Sequence, residues 1–194
     1  SPDLVHAWLF WAHLWAKLTV PGDVPLITSR RQTFSDKKDS ALLHAMENWV
    51  NTKTRLITAN SERVAQSCLA KEKHVEEKLR VIYNGFDVNS FEMAAPVDLR
   101  KEFPALADAT HIGITVANLL PHKGYDLLLD AWERVHQEHP RAAILCVGSD
   151  GGIQSQLEEE ASRRGLQDRV LFAGLRRDVP SLLKGADFAV HASH

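Results

Sequence analysis

Cysteine is scarce: Cys68 and Cys146 are the only two among 194 residues, far apart and each inside an apolar run. That excludes a disulfide-stapled scaffold and any zinc-type spacing, and it fits buried free thiols in a reducing compartment. An excess of charge of one sign is also missing. The 23 basic and 25 acidic residues give a formal net charge of -2, so there is no global basic field and nucleic acid is not the expected partner. No run is long enough to span a bilayer: the longest apolar stretch, AWLFWAHLWAKLTV at 7–20, contains His13 and Lys17 and falls short of the ~20 residues needed. No secretory leader is visible, which points to the cytoplasm. Neither a P-loop nor the G-x-G-x-x-G fingerprint occurs, and no internal repeat or low-complexity tract was found. The chain opens on Ser1 directly before a strand-like run and stops at VHASH inside another, so both ends read as internal to a longer protein.

What is present is alternation. With 44% apolar residues the chain can bury a sizeable core. Apolar runs of strand length occur at 3–8, 25–28, 55–59, 80–83, 111–117, 142–148, 169–174 and 186–192. Most are separated by helix-period segments. Residues 125–138 place Leu128, Ala131, Trp132 and Val135 on one face, and 153–165 end on a stop signal at Gly165. Ser61 is placed to cap a helix starting ERVAQ, and Asp178 one starting VPSLL, with its proline in the first turn. Repeated strand–helix alternation predicts a doubly wound α/β architecture with ligands outside the carboxyl ends of the strands.

Residues 84–96, NGFDVNSFEMAAP, have turn chemistry at Asn84-Gly85 and then no clear period, which predicts a passage from one α/β domain to another. Those two residues are the expected start of a hinge. In 7–20, Trp8, Trp11, Trp15 and Leu18 fall at helical spacing. The plainer expectation is a core face packed on a sheet; the sharper one is a tryptophan face toward a lipid acceptor or a membrane surface.

Lys123-Gly124 stands between a strand and a helix. There backbone N–H groups and the helix dipole favour an anion, a lysine adds a full charge, and a glycine allows close approach to the backbone. A second glycine-bearing turn, VGSDGG at 147–152, follows the next strand. Taken singly, a solvated lysine or a plain tight turn explains each. Together they would line one rim of the sheet.

The ordered set VIYNGFD, ITVANLLPHKGYDLLLDAWERV, ILCVGSDGG and VLFAGLRRDVPSLLKGADFAVHAS resembles the retaining glycosyltransferases of family four. PDLVHAW, VPLITSRR and ITANSERV are similar to the later strands of that family's acceptor domain. The resemblance implies a GT-B fold of two Rossmann-like domains: 1–87 as the C-terminal part of the acceptor side, 88–194 as the N-terminal part of the nucleotide-sugar side. It implies a nucleotide-diphosphate sugar as co-substrate bound in the cleft between domains, a glycan or lipid-linked acceptor, no cofactor and no bound metal. By position Lys123, Gly124 and Asn118 would meet the donor diphosphate, and Gly148, Gly174, Leu175 and Arg176 would lie on the nucleotide or base side.

The chain departs from the family in three places. Asn118 stands where many members carry an arginine five residues before the lysine. Arg30-Arg31 stand where many carry a histidine; contact with acceptor or phosphate and a structural salt bridge are equally open for them. The family's glutamate-bearing donor motif should begin past His194, so no catalytic residue is assigned, and residues 1–194 alone are expected to be inactive. Two other readings stay open: a nucleotide-sugar 2-epimerase of the same fold, and a non-catalytic nucleotide-sugar-binding or partner-docking module.

Overall fold

The structure, a computed structural model, describes residues 2–32 and 40–193. The chain divides into two compact units, Ser1–Phe86 and Asp87–His194. Each contains a parallel four-stranded sheet.

In the first unit β1 (Val5–Trp8), β2 (Leu26–Arg30), β3 (Leu56–Ala59) and β4 (Leu79–Val81) lie side by side in sequence order. The connections are α1 (Phe10–Thr19), α2 (Ala41–Asn51) and α3 (Glu62–Lys71). Ser61 accepts a hydrogen bond from the Val64 amide and starts α3, as its position before ERVAQ predicts. Val64, Ala65 and Cys68 of that helix pack on Ala59, Leu79 and Val81. Burial pushes the Cys68 thiol up to about 12, so it is a core group, not a nucleophile.

Helix α1 corrects the expected core face. Its buried residues are His13 and Ala16, while Trp11 and Trp15 are 68% and 65% exposed. Ala16 meets Ala7 and Leu26, with Ala12 beside them. Small side chains let the helix lie close to the sheet, and the tryptophans are left outside. The turn from β1 into α1 is tight enough to hold Leu9 in the left-handed region, at φ 74°.

A buried ionic cluster ties the helices of this unit to β2. Arg30, 5% exposed, donates from Nε to Glu72 at 3.0 Å and from Nη2 to Glu72, Glu47 and Asn51 at 2.8, 3.0 and 2.9 Å. Its Nη1 reaches Thr28 at 3.1 Å. Glu47 and Asn51 lie on α2, and Glu72 follows α3 directly. Burial alone would raise the Glu72 carboxyl, but hydrogen bonds and the charge of Arg30 override it, so it stays below its usual range.

In the second unit the helices are α4 (Val88–Met93), α5 (Leu99–Glu102), α6 (Tyr125–Glu138), α7 (Gln154–Arg163) and α8 (Val179–Gly185). The strands are β5 (His111–Val116), β6 (Ala142–Val147), β7 (Val170–Gly174) and β8 (Phe188–Ala189), in the order β7-β6-β5-β8. The central strand β6 is buried throughout, and its period of two divides the core. Ala142, Ile144 and Cys146 face Leu128, Leu129 and Trp132 of α6 and Leu157 and Ala161 of α7. Ala143, Leu145 and Val147 face Leu99, Leu106 and Leu182 on the other side. Arg164, just past α7, joins its helix to α6 through Glu160, Asp130 and Glu133.

The stretch after Asn84-Gly85 differs from expectation. It contains α4, capped by Asp87 through the Ser90 amide. A helix this short and without a buried residue leaves no apolar period to detect in sequence.

Candidate functional site

In the second unit, β5, β6 and β7 step outward in one direction, and β8 returns to the other side of β5. The strand order reverses between β5 and β8, and their carboxyl ends are where a crevice opens in such a sheet. Lys123 and Gly124 follow β5, and Ala192 follows β8.

The two loops at this rim are bound to each other. The Ala117 amide donates to Val147 at 2.9 Å, Leu119 to Ser149 at 2.9 Å and Gly151 to Leu119 at 3.0 Å. Tyr125 pins the first loop from below, its hydroxyl donating to the Ala117 carbonyl at 2.7 Å. Asn118 accepts from the Ser149 amide at 3.2 Å. Its oxygen therefore ties the loops, and its NH2 is the part left to donate to a ligand. At Gly148 a Cβ would collide with the Ala117 carbonyl, so this glycine permits backbone to pass backbone. Gly124 has φ 71° and the Ala192 carbonyl fills the space of a Cβ, so it too is required by the chain itself.

The two helix starts at this rim are unlike. Asp150 accepts the amides of Gly152, Ile153 and Gln154 at 2.7, 3.0 and 3.1 Å. Those bonds hold its carboxyl below the usual range, and they occupy the anion-binding end of α7. No side chain caps α6. Its first-turn amides have no side-chain partner, and the half-buried Lys123 beside them has no side-chain hydrogen bond or ion pair among the described residues. A cation beside an uncapped helix start is an arrangement that favours an anion.

Of the other residues singled out in the sequence, Gly174 ends β7 at φ 66° and Leu175 is 75% exposed beside it. Arg176 donates from Nε and Nη2 to the two carboxylate oxygens of Asp178 at 2.8 and 2.7 Å, and to Glu102 at 2.9 Å. Asp178 thus holds an arginine instead of capping α8. Arg30 is enclosed in the ionic cluster, and its donors face protein acceptors. Arg31 is exposed, with its guanidinium carbon 4.7 Å from the centre of the Trp8 ring and Nη2 donating to Asn84 at 3.0 Å. Gly85 has no left-handed backbone, so the turn there does not depend on glycine.

Arg31, Trp8 and Asn84 line a cavity of about 210 Å³ at the carboxyl ends of the first sheet, together with His6, Thr58 and Tyr83. Within it His6 Nε2 lies 2.7 Å from Ser29 Oγ, which lies 2.6 Å from Thr58 Oγ1. Burial, with His13 nearby, lowers the His6 pKa and favours neutral imidazole. Sequence reading missed this cavity. The polar residues within otherwise apolar strands, His6, Ser29 and Thr58, were its available signal.

Residues 99–194 match the family described as glycosyl transferases group 1, and residues 1–90 match glycosyltransferase family 4. The chain belongs to this family, and its fold is of the GT-B type. Among solved structures, Anabaena HepE in complex with UDP superposes with a TM-score of 0.83 and 28% identity, over 98% of this chain and 53% of HepE. HepE is also solved with UDP-glucose. Among curated relatives, an Escherichia coli UDP-Gal:alpha-D-GlcNAc-diphosphoundecaprenol alpha-1,3-galactosyltransferase is 30% identical over 142 residues, 71% of this chain and 36% of the relative. Mannosylfructose-phosphate synthase of Agrobacterium fabrum is 28% identical over 63% of this chain and 28% of its own length. The chain spans about half the length of HepE and less of these curated relatives. No helix among the described residues is long and apolar enough to cross a membrane.

Proposed function

We propose that this chain is part of a metal-independent retaining glycosyltransferase that moves a hexosyl-type sugar from a nucleotide-diphosphate sugar to a glycan or lipid-linked acceptor. Cell-surface polysaccharide or lipopolysaccharide-type synthesis in the cytoplasm, at the inner face of the membrane, is the setting this reading implies. The observation that carries it is the open start of α6 with Lys123 beside it at the reversal of strand order. The first unit would serve the acceptor, and the second would hold the donor.

In such a reaction the sugar–oxygen bond to the diphosphate breaks, and negative charge grows on the leaving group. The α6 amides are fixed by the helix before the charge appears, so their stabilisation needs no reorganisation at that moment, and Lys123 would add a full positive charge beside them. The Asn118 amide would add a neutral hydrogen bond. Leu175 and Gly174 would border the base, while Arg176 would shape that border through its ion pairs. HepE, solved with UDP and with UDP-glucose, supports the donor class.

The test is product analysis with the full-length protein, a panel of UDP-, GDP- and ADP-sugars and a set of glycan acceptors. The reading predicts nucleoside diphosphate release coupled to a new glycosidic bond that keeps the donor's anomeric configuration. Formation of an epimeric sugar without acceptor would favour the 2-epimerase. Binding without any turnover would favour a non-catalytic module.

A further inference from the structure

The cavity in the first unit carries a cation, Arg31, that has no ion pair among the described residues. Adjacent arginines at the end of β2 have divided roles. Arg30 turns inward, where Glu47 and Glu72 compensate it. Arg31 turns outward, lies over Trp8 and is steadied by Asn84, yet it has no ion pair among the described residues. Stacking on an aromatic face and one hydrogen bond to a side-chain amide hold a guanidinium in place, and among the described residues most of its five donors have no partner. A fixed, unpaired arginine fork matches the paired oxygens of a carboxylate or phosphate. The rest of the lining is different in kind. The imidazole of His6 and the hydroxyls of Ser29 and Thr58 form one hydrogen-bonded row, able to donate or accept, and Tyr83 at the rim is 65% exposed. Hydroxyl-rich walls with an exposed aromatic suit a sugar ring, whose edges carry hydroxyls and whose faces are apolar.

We infer that this cavity binds an acidic sugar, a hydroxylated ring bearing a phosphate or carboxylate, with Arg31 as the group that recognises the anion. Under the proposed transferase function, on which this part rests, that ligand is the acceptor end of the substrate. Arg30 has no part in binding; it holds the floor of the cavity through its own ion pairs.

The experiment is calorimetric titration of the full-length protein with glucose 1-phosphate, methyl glucuronide and uncharged methyl glucoside, with and without UDP. Wild type should bind at least one of the two acidic sugars tenfold or more tighter than methyl glucoside, with UDP present as well as absent. Arg31→Met should abolish that preference, and Arg31→Lys should restore part of it. Lys123→Met should leave it intact. Which acidic sugar is preferred then separates a phosphate-bearing from a uronic-acid ligand. The inference is overturned if Arg31→Met keeps the preference, if methyl glucoside binds as tightly, or if none of the three binds folded wild type. Loss of the preference in Lys123→Met with retention in Arg31→Met would place the anion at the donor loop and overturn it equally. Binding of UDP itself is read in the same titrations. Its failure would sink the donor assignment while leaving an Arg31-dependent preference standing.

Discussion

Lys123, Arg30 and Arg31 all follow or end a strand at its carboxyl end, and their surroundings give them different chemistry. Arg30 is enclosed by carboxylates, and its worth is structural. Replacing Glu72 by Gln removes the carboxylate that meets Arg30 twice, and leaves Glu47 to balance it alone. Breaking a buried pair typically costs about 3 kcal/mol or more. Chemical denaturation followed by tryptophan fluorescence should show a loss of about that size, since Trp8, Trp11, Trp15 and Trp49 all lie in the first unit. The pH dependence follows from the depressed pKa of Glu72. The stability it contributes is fully present above its unfolded value, about 4.3, and is lost as pH falls through the lower folded value. Glu72→Gln should therefore flatten the acid limb of stability against pH below about 4.3; an unchanged acid limb would remove Glu72 from the account. Gly124→Ala is expected to destabilise the second unit by about 2 kcal/mol, from the left-handed backbone and the collision with Ala192. Urea unfolding measures it.

At this scale the sequence was partly legible. Lys-Gly between a strand and a helix is visible in the chain itself, and the structure places the pair after β5 and before α6. For the glycine the fold adds a reason of its own: it admits Ala192, a chain contact far away in sequence that no local pattern displays. The parting of Arg30 from Arg31 was within reach, because successive residues at a strand end point to opposite sides. The acids that claim Arg30 come from Glu47 and Glu72, and only the fold shows them.

Among the elements, the helices separate what sequence can and cannot decide. Eight apolar runs match the eight strands among the described residues, and the long period at 125–138 matches α6, because apolar runs of strand length and an amphipathic period are local signals. Helix α1 carries large apolar side chains on more than one side, so its period marks a helix without saying which face is inside. Packing chose the side of Ala12 and Ala16. Caps divide in the same way: Ser61 acts as its position predicts, and Asp178 does not because Arg176 competes for it. Ser61→Ala should lower stability by about 1 kcal/mol, read from the first unit's unfolding midpoint. Asp150→Ala has a sharper consequence. It should free the α7 amides and lower the melting temperature, and it should create a second anion site that binds sulfate or phosphate more tightly than wild type does. No gain in anion affinity would mean that Asp150 is not what closes that helix start.

For the molecule as a whole, the two units meet in sequence at Phe86–Asp87, within residues that have no regular structure before α4 begins. Lys184 donates to the carbonyls of Glu92 and Ala94, which ties the later part of this segment to its own unit. Bending is therefore expected at 84–87, ahead of α4. In hydrogen exchange on the full-length protein, amides 84–87 should exchange faster than those of β4 and β5, and should slow when a nucleotide sugar is added. Equal protection to the strands in both states would count against a hinge there. Lys123, at the start of α6, is the side chain on which donor binding is expected to depend most. A hydrogen bond assisted by full charge contributes roughly 1.5–3 kcal/mol, so removing it should weaken donor binding about ten- to a hundredfold. The decisive measurement is nucleotide-sugar affinity by calorimetry for wild type and Lys123→Met, where methionine keeps the length of the stem and removes the charge. Weakening of that size in a folded variant is the predicted result; binding as tight as wild type would contradict the account.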